Sequence, residues 1–170
     1  MLNLLRQNKE RRSQAAKLYA AVVARARDPE FFARFGVKDT LDGRFDLVTL
    51  HAWLTLERLN VKGTTRLAQA FVDTVFVGFD EALRELGAGD IGMGKRVKKL
   101  AGAFYGRLQA YGQARDEAAM EEALIRNLYR GTPEGSARAL ARYVLNARER
   151  LKSCEVENGE LDFGPLPNEE

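Results

Sequence analysis

Through most of this chain apolar side chains return every three or four residues, and a stripe of that period can be buried along one side only if the backbone is α-helical. Ala15, Leu18, Tyr19, Val22, Val23 and Ala26 make such a stripe within residues 5–27. Asp28-Pro29-Glu30 then supplies a capping side chain, a proline suited to a first helical position and an acid for the positive end of a short second helix. That helix carries Phe31, Phe32 and Phe35 and stops at Gly36; the phenylalanines form a hydrophobic plug, for the core or for a groove that takes a client segment. Residues 37–46, with Asp42-Gly43, read as a turn-rich connector.

From Phe45 the stripe resumes. Leu47, Leu50 and Leu54 interleave with Val48, Ala52, Leu56 and Leu59, so this helix is apolar around much of its circumference and is predicted to sit centrally. It contains His51, which has neither a second ligand nor a catalytic partner and is assigned a structural hydrogen-bonding role. Thr64 or Thr65 caps the next helix, with Leu67, Phe71, Val75 and Phe79 in register; Gly78 inside it permits close helix contact. Asp90 caps a helix running to about Tyr111, whose Gly102 and Gly106 each cost up to ~1 kcal/mol relative to alanine, so packing must hold it. Residues 116–129, and a last helix capped by Thr132 and begun by Pro133, complete a helical hairpin. The predicted fold is all-α: a single compact domain of about six or seven helices over residues 1–152.

All 27 Lys and Arg residues but only 18 of the 24 acidic ones precede Ser153, which leaves residues 1–152 nine charges positive. A domain that basic is biased toward polyanions, anionic membrane surfaces or acidic protein patches. Residues 153–170 hold six acids, no Lys or Arg, and Gly159, Gly164, Pro165 and Pro167, which reads as a flexible acidic tail. No stretch approaches the roughly 20 apolar residues that span a bilayer, and Leu2, Leu4 and Leu5 make too short a run for a secretory signal. The lone Cys154 excludes an internal disulfide and a cysteine metal cluster, in keeping with a reducing, cytoplasmic location. With one His, one Cys and no metal-ligand spacing, no catalytic, cofactor-binding or metal-binding residues are assigned, and no motif points to DNA.

One stretch imitates a nucleotide site. Gly87-x-Gly89-x-x-Gly92 fits a dinucleotide fingerprint, and Gly89, four residues, then Gly94-Lys95 fits most of a phosphate loop. The predicted element before it is a helix rather than a strand, and Arg96 stands where a Ser or Thr would bind magnesium, so nucleotide hydrolysis is excluded. Two readings of the stretch stay open: an anion- or partner-binding helix start, or a glycine turn followed by a solvated basic face.

The residues Asp42-Gly43-Arg44-Phe45, then His51 and Trp53, then Asp90-Ile91-Gly92-Met93-Gly94-Lys95-Arg96-Val97-Lys98-Lys99 followed by Phe104-Tyr105-Gly106-Arg107, resemble the ubiquinol-cytochrome c chaperone family. The resemblance covers about residues 15–150 and looks bacterial, because the long presequence region of mitochondrial members is missing. It implies an all-helical, non-catalytic assembly chaperone that binds newly made cytochrome b, or another subunit of ubiquinol-cytochrome c reductase; mitochondrial relatives also work near the ribosomal exit site. It brings no catalytic residue and no cofactor. Combined with the charge, it makes Lys95, Arg96, Lys98, Lys99, Phe104, Tyr105 and Arg107 the candidate client-binding surface, with the cytoplasmic face of the inner membrane as a further contact. The competing expectation is a basic lipid- or RNA-binding helical module.

Overall fold

A computed structural model describes residues 2–60, 63–87, 92–132 and 137–168. Within them lie seven α-helices and no strand: α1 (Leu2–Ala26), α2 (Glu30–Ala33), α3 (Leu41–Leu59), α4 (Thr65–Glu85), α5 (Met93–Gln113), α6 (Glu117–Asn127) and α7 (Ala137–Leu151), then a 3-10 turn at Val156–Asn158. The cap expected at Asp90 and the helix start expected at Pro133 lie outside the described residues. The all-α expectation holds, and its physical basis is visible in α3. His51, Ala52, Trp53, Leu54, Thr55 and Leu56 are buried in succession, so every side of this helix faces protein. It packs on α1, α4, α5 and α7, and α6 pairs with α7 as the predicted hairpin.

The expected connector over residues 37–46 is shorter than its composition suggests. α3 begins at Leu41 because Thr40 caps it, its hydroxyl oxygen accepting from the Gly43 amide at 3.1 Å. Asp42-Gly43 therefore marks a first helical turn rather than a loop. Gly43 is required there because a Cβ would overlap the Lys38 carbonyl oxygen. Gly78 behaves as predicted: α4 runs through it unbroken, and the Tyr19 ring of α1 lies against the space a side chain would need.

The Phe31 plug belongs to the core. Phe31 and Phe35 are buried, and Phe31 meets His51 edge-on at 5.3 Å and Tyr143 at 5.9 Å. His51 is fully buried. Its Nδ1 donates to the Leu47 carbonyl (2.8 Å), since that oxygen can only accept, which leaves Nε2 to accept from the Tyr143 hydroxyl (2.9 Å). The Tyr143 oxygen in turn accepts from Arg25 Nε at 2.9 Å. Burial holds the imidazole neutral, pulling its pKa down to about 4.

The acidic C-terminal segment differs from the flexible tail that its composition predicts. Val156 and Phe163 are buried, Leu161 and Leu166 pack on the core, and Phe163 meets the His51 ring edge-on at 5.0 Å. Arginines hold its backbone: Arg58 donates to the Cys154 carbonyl (2.9 Å) and Arg25 to the Gly164 carbonyl (2.8 Å), while Arg150 pairs with Asp162. Four apolar side chains at irregular spacing carry no periodic signal, yet they suffice to dock residues 153–168 as a strap. The acids face outward toward the basic domain's arginines or solvent.

Candidate functional site

The surface assigned to α5 separates into three parts once the helix is built. At 100° per residue, Met93, Phe104 and Tyr111 share the buried side, while Lys95, Lys98, Lys99, Gly102 and Gly106 share the opposite, exposed side. Arg96 is exposed too, but lies about 100° away from Lys95. Tyr105 is 53% exposed and flanks the outer face. Phe104, in contrast, is fully buried, and Arg107 turns inward with its side chain 13% exposed. Five of the seven surface candidates are therefore available to a partner, and two are structural.

Tyr105 is the outer end of an aromatic row. It meets Phe104 at 5.3 Å and Phe76 at 6.1 Å; Phe79 meets Phe104 at 6.1 Å and Phe45 at 4.9 Å. This row ties the start of α3 to α4 and α5 and explains how a helix with so many glycines is held.

The outer face of α5 is open around its glycines. A Cβ at Gly94, Gly102 or Gly106 would meet nothing within 4 Å. Among the described residues no packing calls for glycine at those positions, although each lowers helix stability. Gly92, by contrast, is needed by the backbone: it is left-handed (φ 88°) and caps α5, with Arg96 donating to its carbonyl at 3.2 Å. The described element ahead of this start is α4, a helix, in agreement with the exclusion of a phosphate loop.

Beside α5 a groove of about 550 Å³ opens between α1, α3 and α4. Its lining includes Tyr19, Phe45, Phe79, Leu83, Leu86 and Leu100. Leu41 (48% exposed) and Leu86 (63%) stand exposed on its margin, with Arg27, Asp42, Arg44, Glu81 and Glu85 nearby. Asp42, Arg44 and Phe45 thus share this groove with Leu100 of α5, and Arg96, one turn before Leu100, is the basic residue on the same side of the helix. Tyr19, Leu83 and Leu86 were not assigned to a site from the sequence, because the helical period does not distinguish the wall of a groove from the core.

The remaining motif residues have structural roles. Trp53 is buried against Tyr111 at 5.5 Å, and Arg44 pairs with Asp39 at 2.7 Å. Asp46, adjoining the motif, was also missed. It is fully buried, forms an ion pair with Arg107 (2.9 Å) and accepts from Arg130 (3.1 Å), and Arg130 also reaches Asp42 at 3.4 Å. Arg130 adopts a left-handed backbone (φ 53°), a conformation tolerated because these two carboxylates hold its side chain. Burial pushes the Asp46 carboxyl up to about 6 despite both cations. The triad fastens α3 to α5 and to the turn after α6.

The comparisons with known proteins converge. Residues 33–158 match the family described as ubiquinol-cytochrome c chaperone. The chain is 24% identical over 162 residues to a Xenopus laevis protein, ubiquinol-cytochrome-c reductase complex assembly factor 1, covering 89% of this chain and 81% of that one. Its structure is similar to the crystal structure of the Cbp3 homolog from Brucella abortus, with a TM-score of 0.85 and 36% identity over 98% of each chain. The matched region includes the capped start of α3, the glycine start of α5 and the aromatic row between them. This chain belongs to the ubiquinol-cytochrome c chaperone family, whose members are non-catalytic assembly factors for ubiquinol-cytochrome c reductase.

Proposed function

We propose that the protein binds newly made cytochrome b on the outer face of α5 and holds it for assembly at the cytoplasmic face of the membrane. The observation that carries the docking site is the open space around Gly102 and Gly106, one and two turns beyond Lys98 and Lys99 and beside exposed Tyr105. A glycine face lets another helix approach closely, and the lysines orient it by attracting acidic or carbonyl-rich ends. The membrane location is supported by the positive charge of residues 1–152, and among the described residues no helix is long and apolar enough to cross a bilayer.

Two sets of variants test this reading. Replacing Lys95, Lys98 and Lys99 with glutamate is expected to lower recovery of cytochrome b with the tagged chaperone by about tenfold or more, since each unfavourable charge contact costs on the order of 1 kcal/mol. The melting temperature should stay unchanged, because these side chains are exposed. Gly102→Ala with Gly106→Ala should raise stability, by about 0.5–1 kcal/mol for each site, while cytochrome b recovery falls. Normal recovery in both variants would remove α5 as the docking face; normal assembly of the reductase in a deletion strain would remove the function itself.

A further inference from the structure

We propose that the first half of α1 is the part of this protein that grips an anionic bilayer, tip first, leaving the α5 face free for the client. The inference rests on the membrane location proposed above and assigns it to residues. Residues 3–10 of α1 are all exposed; the helix meets the core only from Ala15 onward. Leu4 and Leu5 are 61% and 64% exposed, and Arg6, Lys9, Arg11 and Arg12 follow with Glu10 as the single acid of the arm, a net charge of +3. From Arg6 to Arg12 the helix advances about 9 Å, comparable to the thickness of one headgroup layer, so the leucines can enter the acyl boundary while the cations remain among phosphates.

The arm is well separated from the basic turn of α5. Tyr19 lies against Gly78, and Tyr19, Val23, Ala26 and Arg27 line the groove, so the groove follows the second half of α1. Leu100, in the first half of α5, lines that same groove at the far end of α1. Leu4 and the groove end of α1 at Ala26 are about 30 Å apart along the axis. A bilayer at the arm therefore leaves Lys95, Lys98 and Lys99 uncovered. Lipid fits the arm better than RNA does, because its exposed apolar side chains are aliphatic, and Tyr19, the first aromatic residue, lies in the groove rather than on the arm.

Flotation of the full chain with vesicles of phosphatidylcholine and phosphatidylglycerol, compared with phosphatidylcholine alone, tests the inference. The wild type should bind the anionic vesicles and be released by salt. Lys9→Gln, Arg11→Gln and Arg12→Gln together should weaken binding about 100-fold, at roughly fivefold for each cation lost near an anionic surface. Leu4→Ser with Leu5→Ser should weaken it about tenfold at unchanged charge. Leu4, Leu5, Lys9 and Arg12 are exposed, and Arg11 is half-buried and donates to Asn8 of its own helix, so both variants should melt as the wild type does. Vesicle binding lost in the α5 lysine variant but retained in the arm variants would overturn this inference and leave the membrane location standing. No binding of wild type to any vesicle at low salt would overturn both. RNA binding that needs the arm, without vesicle binding, would also overturn it.

Discussion

Asp46→Ala is expected to lower the unfolding free energy by about 4 kcal/mol, measured by urea denaturation near neutral pH. Asp46 is wholly buried, and its two arginine partners fare differently without it. Arg130 is half exposed and can be solvated; Arg107, with a side chain 13% exposed over the Phe45 ring, is left with N–H groups facing an emptied site where Asp46 Oδ1 had stood 2.9 Å away. Asp46→Asn should cost within about 1 kcal/mol, because its amide oxygen still accepts from an arginine and burial already opposes the negative charge. Equal losses in the two variants would mean that the charge, not the acceptor geometry, holds the triad.

The same residue shapes the pH dependence. Asp46 is raised to about 6, so the stability it contributes is fully present below its ordinary value of 3.8 and is lost as pH rises through about 6. His51 is lowered to about 4, so its contribution is present above 6.5 and is lost as pH falls through about 4. Between about pH 4 and 6 the two slopes oppose, and the wild-type profile should be shallow there. In Asp46→Asn only the histidine slope remains, and stability should fall by about 3 kcal/mol as pH is lowered from 6.5 to 4. An Asp46→Asn profile that parallels the wild type would overturn the assignment.

Phe163→Ala is expected to cost about 3 kcal/mol in the same denaturation measurement, the range for emptying a buried aromatic site. The ring fills space against His51, and its neighbour Gly164 occupies one arm of the Arg25 guanidinium, whose Nε holds the Tyr143 hydroxyl. Losing the ring admits water to a neutral, buried histidine. Removing residues 153–170 altogether should cost more, since Val156 and the backbone bonds from Arg58 and Arg25 go with it. A truncated chain as stable as the full one would show that the strap is dispensable.

How much was legible in the sequence follows from the range of each interaction. α5 could be read because its apolar period, its glycine start and its lysines are all local. The same locality placed Phe104 and Tyr105 together on one candidate surface, although adjacent helical residues point about 100° apart and only packing against Phe76 and Phe79 sends the first inside. His51 could be given a structural role from its isolation, but Tyr143, its partner, is 92 residues away.

What the sequence by itself determined was the helical fold, the central place of α3, the close contact at Gly78 and the family, because periodicity, caps and motif spacing are properties of neighbouring residues. Tertiary structure decided the rest. It buried Asp46 between Arg107 and Arg130, the second of them 84 residues away, and it built a groove from four helices. It also turned an acidic, glycine- and proline-bearing segment into a docked strap. Composition describes how a free chain meets water; it does not register a few irregularly spaced apolar side chains that find room in a core assembled by distant parts of the chain.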